Sequence, residues 1–149
     1  MLKAKEVSYE IYALNQDKKK AQEDYDEAVK QYGVNSTSME FSQAKHNWQA
    51  AQYTYNAGIQ EFDTNFHTLY LQMMDASQVI RAKQSDLSLK QAEYSAAATK
   101  YQQGSISAIT LREAEDAVGE ARDAVSAAEH DLFTKYTSYC RAVRCGILN

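Results

Sequence analysis

The sequence contains no proline and only five glycines, so few of its residues could interrupt a helix or form a loop. Proline breaks helices because it lacks a backbone N–H and its ring collides with the preceding turn, and glycine is a common residue of tight turns. Large apolar side chains are scarce as well, with four phenylalanines and one tryptophan among 149 residues. Much of the 44% hydrophobic content is alanine and tyrosine. This composition predicts helices that meet in thin seams, and it makes sheet structure improbable.

Basic residues are fewer than acidic ones, which gives a net charge of −4, and the sequence shows no basic face. Nucleic acid and anionic membrane surfaces are therefore poor partners. No stretch is apolar enough to predict a membrane span, and the N-terminal residues lack the apolar run of a signal peptide. We expect a soluble chain, and if the natural protein is exported, the signal has been removed or lies elsewhere.

Apolar residues recur at spacings of three and four from Thr37 to Gln102, as they do along one face of an α-helix. The series comprises Phe41, Ala44, Trp48, Ala51, Tyr55, Gly58, Phe62, Phe66, Leu69, Met73, Ala76, Ile80, Leu87, Tyr94, Ala97 and Tyr101, with Lys83 and Lys90 in two further slots. We expect one very long helix, which would reach roughly 100 Å if unbroken and give a rod. Two successive steps of four join Gly58, Phe62 and Phe66, a stutter that relaxes supercoiling. If this stutter is a turn instead, the rod becomes two hairpins.

Two shorter segments with the same periodicity are predicted to flank the long helix. The first, about residues 3–32, carries Ala4, Val7, Ile11, Leu14, Ala21, Tyr25, Ala28 and Tyr32, with Lys18 breaking the series. The second, about residues 107–145, carries Leu111, Ala114, Val118, Ala121, Val125, Ala128, Leu132, Tyr139 and Val143. These stripes are typical of coiled coils.

Short polar connections separate the three segments. Gly33 and Gly104 suit the left-handed position that ends a helix, and Thr37 with Glu40 forms a capping box at the start of the long helix. Such short connections favour antiparallel packing. The predicted fold class is therefore all-α, an elongated antiparallel coiled coil with a central helix over about residues 37–102, in one domain that covers residues 1–149.

A second stripe of small or apolar residues lies off the first on the long helix. It comprises Ala50, Ala57, Ala82, Leu89, Ala92 and Ala96. Two stripes suggest a neighbouring helix on each side, although alanine is also simply a good helix former. We therefore expect the chain to associate with copies of itself.

Candidate chemical sites are few. His46, His67 and His130 are far apart, and Asp63 with His67 would supply only half of a metal site. Cys140 and Cys145 are too far apart along a helix for a disulfide. No nucleophile elbow or phosphate-binding loop is present, so we expect no metal, no cofactor and no enzymatic activity.

Acidic residues and methionines each allow two interpretations. The acidic clusters are Glu23, Asp24, Asp26 and Glu27, and Glu113, Glu115, Asp116, Glu120 and Asp123. They could line a tunnel, but a solvated helix face is the simpler interpretation. Met73 and Met74 are interpreted as seam filling in preference to a binding surface.

The stretch from Ala92 through Tyr101 and Gly104 to Ser107, followed by Ala114, Ala121 and Ala128 at intervals of seven, resembles the TolC-like outer-membrane efflux protein family. The family pattern is an alanine-rich helix, a tyrosine, a glycine three residues later, a polar turn and a helix with alanine at every seventh residue. The upstream segments 43–48 and 66–70 are also similar to the long helix of that family. The resemblance covers about residues 37–148, whereas the first helix matches only in character.

The resemblance implies a passive export conduit in the outer membrane and periplasm. Family members are trimers whose helices form a hollow barrel that docks a periplasmic adaptor protein and, through it, an inner-membrane pump in multidrug export or type I secretion. Carried onto this chain, the docking tip consists of Tyr101, Gly104, Ser105, Ile106 and Ser107, and Thr110 and Glu113 become polar residues of the entrance.

This sequence departs from the family in two respects. Ile106 stands where the family pattern has a basic residue, so a salt-bridged gate is in doubt and apolar contact with an adaptor or a neighbouring subunit is favoured. The chain also has one helical repeat instead of two, and no segment for β-strands. A free-standing three-helix coiled coil that acts as a scaffold, spacer or tether is the alternative function.

Overall fold

The computed structural model describes residues 2–148, with side chains from Ala4 to Leu148. It consists of four helices: α1 (Leu2–Val7), α2 (Tyr9–Tyr32), α3 (Met39–Gln102) and α4 (Ala108–Cys145). No strand occurs within this part of the chain. The predicted all-α fold with one very long central helix is therefore confirmed.

The central helix α3 is unbroken at the stutter, so this region is not a turn. Phe62 and Phe66 are both buried, and their ring centroids lie 6.2 Å apart. At Gly58 a Cβ atom would lie only 2.3 Å from Leu14 Cδ1, so the missing side chain lets α2 approach closely. The stutter therefore places two aromatic rings in the core directly after a close helix contact.

The chain forms two compact units. The terminal unit comprises the residues up to Leu69 and those from Ser138 onward, and the hairpin unit comprises Tyr70–Thr137. Both units are helical.

In the terminal unit α2 and α3 are antiparallel and meet through aromatic rings. Tyr25 stacks on Trp48 at a centroid distance of 4.9 Å and contacts Phe41 at 5.8 Å. Further along α3, the Lys18 ammonium lies 3.9 Å from the centroid of the Tyr55 ring. This cation–π contact explains how a lysine occupies an apolar slot of the first stripe.

The first predicted helix, about residues 3–32, is divided at Ser8, whose ψ of 119° is extended. The division changes which residue is covered: Val7 is 51% exposed, whereas Ser8 is only 1% exposed. Gly146 packs against this junction, where a Cβ atom on the glycine would lie 2.6 Å from both Ala4 O and Ser8 Cα. The break is therefore packed against a residue that is remote in sequence.

The predicted capping box of Thr37 and Glu40 is wrong, because the N-cap of α3 lies one residue later than expected. Ser38 Oγ accepts the N–H of Phe41 at 3.2 Å, and Ser36 Oγ accepts the N–H of Ser38 at 3.1 Å. Ser38 is therefore the N-cap of α3. Serine, like threonine, supplies the oxygen that a helix start requires, and local geometry decides between adjacent candidates.

The hairpin unit has a thin seam made of small side chains. Its buried hydrophobic residues are Ala76, Ala121 and Val125. The second stripe is open to solvent in both units, since Ala50, Ala57, Ala82, Leu89, Ala92 and Ala96 are all exposed. Within residues 2–148, none of the helices combines the length and apolarity needed to cross a bilayer.

Candidate functional site

The turn between α3 and α4 is a compact, hydrogen-bonded helix reversal. Gly104 adopts a φ of +72°, and its N–H donates to the carbonyl of Tyr101 at 2.9 Å. The N–H of Ser105 donates to the carbonyl of Lys100, also at 2.9 Å. This pair of bonds is the Schellman motif, in which a glycine in the left-handed conformation ends the helix. Gly104 therefore ends α3, as its position in the sequence predicts.

Ser107 is the N-cap of the next helix, α4. Its Oγ accepts the N–H of Thr110 at 3.2 Å and lies 3.1 Å from Thr110 Oγ1. Thr110, predicted as a polar residue of an entrance, thus contributes to the N-cap of α4. Glu113 lies exposed on the same helix.

The most exposed large apolar side chain at this turn is Ile109, which the apolar periodicity does not predict. Ile109 is 72% exposed, whereas Ile106, the predicted contact residue, is less exposed because it is half-buried. Tyr101 is 44% exposed at the end of α3. A shallow depression lies along Ala108, Ile109 and Arg112. Ile109 falls outside the three-and-four series of α4, and this off-series position is the signal that could have identified it.

A second candidate surface is an apolar groove between α3 and α4 in the hairpin unit. It has a volume of about 460 Å³. Its lining consists of Met73, Met74, Ser77, Ile80, Glu129, Leu132, Phe133 and Tyr136. Phe133 is 66% exposed and Tyr136 is 54% exposed, so aromatic rings form much of the rim. Glu129 contributes the carboxylate of the lining.

The groove modifies the interpretation of the two methionines. Met73 is half-buried, in agreement with seam filling, but Met74 is 39% exposed. Both side chains line the groove. Flexible methionine side chains adapt readily to a partner surface, so this pair contributes to an open apolar face as well as to the seam.

Asp63, which with His67 would supply half of a metal site, forms an ion pair with Lys5 instead. Asp63 Oδ2 accepts a hydrogen bond from Lys5 Nζ at 2.6 Å, which forms a partly buried ion pair. No group of three or more His, Cys, Asp or Glu side chains suited to a metal occurs among the described residues. Cys140 and Cys145 are both free thiols.

One charged residue of the predicted seam has a perturbed pKa. Lys90 is half-buried and donates to Glu93 Oε2 at 2.9 Å. This hydrogen bond to Glu93, followed by the negative charge of the same carboxylate, raises the pKa of Lys90. An ion pair with Glu93 therefore accompanies the lysine in this slot of the predicted series.

Comparison with known proteins found no matching family model, no matching curated protein and no matching solved structure.

Proposed function

We propose that this chain is the α-helical part of a TolC-like outer-membrane efflux channel, where it acts as a passive conduit and docks a periplasmic adaptor protein through the α3–α4 turn. The observation that carries the proposal is the construction of that turn. A glycine-terminated helix, a short polar reversal and a capped second helix leave Ile109 and Tyr101 exposed to solvent. A fixed turn with an exposed apolar residue is a suitable contact for another helical tip.

The thin seam of the hairpin unit supports a role beside neighbouring helices. Two helices that bury only small hydrophobic residues gain little stability from each other, because apolar stabilisation scales with the area removed from water. Copies of the chain packed side by side would cover the exposed second stripe and the groove. The proposal therefore includes a homo-oligomer, a trimer by resemblance, in the outer membrane and periplasm, coupled to an inner-membrane pump.

The proposed docking contact centres on Ile109, and it includes Ile106 and Tyr101 of the same turn. Since Ile106 stands in place of a basic residue, the entrance would be held by apolar packing between tips. Thr110 would hold the helix start, and Glu113 would contribute polarity at the entrance.

The test is a calorimetric titration of the purified chain with the purified helical-hairpin domain of the adaptor encoded in the same genome. Ile109→Asp should weaken binding by about tenfold or more, because a desolvated apolar anchor commonly contributes over 1 kcal/mol. Tyr53→Asp is the matched control, since Tyr53 is 77% exposed but lies in the terminal unit. Absence of binding, or equal binding by the Ile109 variant, would remove the docking role.

The alternative function, a free-standing coiled-coil scaffold or tether, is favoured by the packing of the terminal unit. Its core joins α1, α2, α3 and the end of α4 through Ala4, Ile11, Phe62, Phe66 and Ala142. A unit of this kind is held together without neighbouring subunits. A monomer at high concentration that binds no adaptor would favour this alternative.

A further inference from the structure

The junction between α1 and α2 combines features of a continuous helix with those of a bend. Ala4, Val7 and Ile11 follow the spacing of one uninterrupted apolar stripe. Ser8 nevertheless interrupts the helix with a φ of −72° and a ψ of 119°. Its carbonyl already accepts the N–H of Tyr12 at 3.0 Å, as it would inside a helix. The bend therefore resides largely in one backbone torsion, because the φ of Ser8 already lies near the helical value of about −63°.

The bent junction has two unfavourable features. Ser8 Oγ is buried and finds no hydrogen-bond partner among the described residues. Val7, an apolar residue of the stripe, is 51% exposed. Burying an unpaired hydroxyl and exposing an apolar side chain both raise the free energy of the bent form.

Contacts with the rest of the terminal unit oppose these costs. Ala4 is 1% exposed and Ala142 is fully buried, and Gly146 fits against Ala4 O and Ser8 Cα with no room for a side chain. The Lys5–Asp63 ion pair, at 2.6 Å, ties α1 to α3. These contacts exist only while α1 stays folded against the unit.

We propose that α1 is a hinged clasp with two states. In the closed state it covers the surface around Ala142 and Gly146. In the open state the ψ of Ser8 becomes helical, α1 continues α2 as one helix, and Val7 joins the apolar stripe while the clasp surface is uncovered. The opposing contacts keep the two states close enough in free energy for single substitutions to move the population.

The clasp can be measured by double electron–electron resonance between spin labels on the exposed positions Glu6→Cys and Gln60→Cys, with Cys140 and Cys145 replaced by serine. Closed and open states give two separate, narrow distances, because α1 is helical in both. Gly146→Ala should raise the long-distance fraction about fivefold or more, since the added Cβ collides with Ala4 and Ser8. Gly104→Ala is its control, because Gly104 also has a positive φ but no atom within 4 Å of the added Cβ.

A second pair of variants leaves the glycines intact, in case Gly146→Ala does not fold. Lys5→Gln removes the ion pair that holds α1 and should also raise the long-distance fraction, whereas Lys90→Gln removes a pair in the hairpin unit and should not. Adding Val7→Asp should restore the short distance, because Val7 is half exposed when closed and enters the stripe when open. A single short distance in all variants, or a broad distribution that indicates an unfolded α1, would overturn the proposal.

Discussion

Two serines at helix starts occupy opposite environments. Ser107 Oγ accepts the N–H of Thr110 and satisfies a backbone donor that the helix leaves free. Ser8 precedes α2 in the same way but makes no side-chain capping bond, and its hydroxyl is buried. The same residue type therefore stabilises one helix start and destabilises the other.

Alanine substitutions at the two serines should change stability in opposite directions. Ser107→Ala should lower the free energy of unfolding by about 1 kcal/mol through loss of the cap. Ser8→Ala should raise it by about 1 kcal/mol, because an unpaired hydroxyl is no longer buried. Urea unfolding followed by circular dichroism measures both, and a loss of stability for Ser8→Ala would show that its oxygen has a partner.

At the scale of whole elements, the contact of α2 with α3 depends on the rings of Tyr25, Phe41 and Trp48. Phe41 and Trp48 are seven residues apart along α3, so both of their rings contact the Tyr25 ring of α2. Aromatic pairs of this kind contribute about 0.5–1.5 kcal/mol beyond the area that they bury. This group is therefore a major attachment of α2 near the connection to α3.

Tyr25→Ala should loosen that attachment and lower the free energy of unfolding by about 2 kcal/mol, less than the loss for a fully buried ring. Trp48 is the only tryptophan of the chain, so its fluorescence reports this contact directly. We expect its emission to shift to longer wavelength as Tyr25 no longer covers it. Tyr53→Ala, at a 77% exposed position, is the control and should change neither quantity; equal effects would contradict the assignment.

For the molecule as a whole, the hairpin unit is the part that buries the fewest large apolar side chains. Its buried residues are small, while Phe133 and Tyr136 rim an apolar groove. Exposed apolar faces of this kind mark association surfaces. Self-association, expected from the two stripes of the sequence, is thus also expected from this groove.

Phe133→Glu should weaken self-association without lowering the stability of the isolated chain, because the ring is 66% exposed and little buried area is lost. Sedimentation velocity over a range of concentrations measures the association, and thermal unfolding at low concentration measures the stability. Tyr53→Glu matches it in exposed aromatic area and charge. Strictly monomeric wild-type protein would rule out the groove as an interface between copies.

The sequence predicts α3 and α4 well because the spacing of apolar residues within one continuous segment determines which face of a long helix is buried. Phe62 in the terminal unit and Ala121 and Val125 in the hairpin unit are buried, as the three-and-four spacing requires. The same periodicity gives the wrong prediction at Ser8, where the local pattern is continuous but the helix bends and packs against Gly146, a residue remote in sequence. Periodicity within one segment cannot register a contact of that kind.

The turn residues Gly104 and Ser107 predict the position of the candidate tip, but the sequence does not predict that Ile109 is its exposed apolar residue. Gly104 and Ser107 act through backbone hydrogen bonds that depend on a few neighbouring residues, so their roles can be inferred from sequence. Which isoleucine points outward depends on the direction from which α4 leaves the turn. That direction exposes Ile109 and half-buries Ile106.

The packing of Ala4 and Ser8 against Gly146 also has a topological consequence. Any chain that precedes Ala4 and any chain that follows Gly146 would leave this unit from nearly the same point. Segments whose two ends lie together can be inserted into a surface loop of another protein with little disturbance of the host. For the same reason the ends could be joined by a short linker and new ends opened at the exposed turn around Gly104.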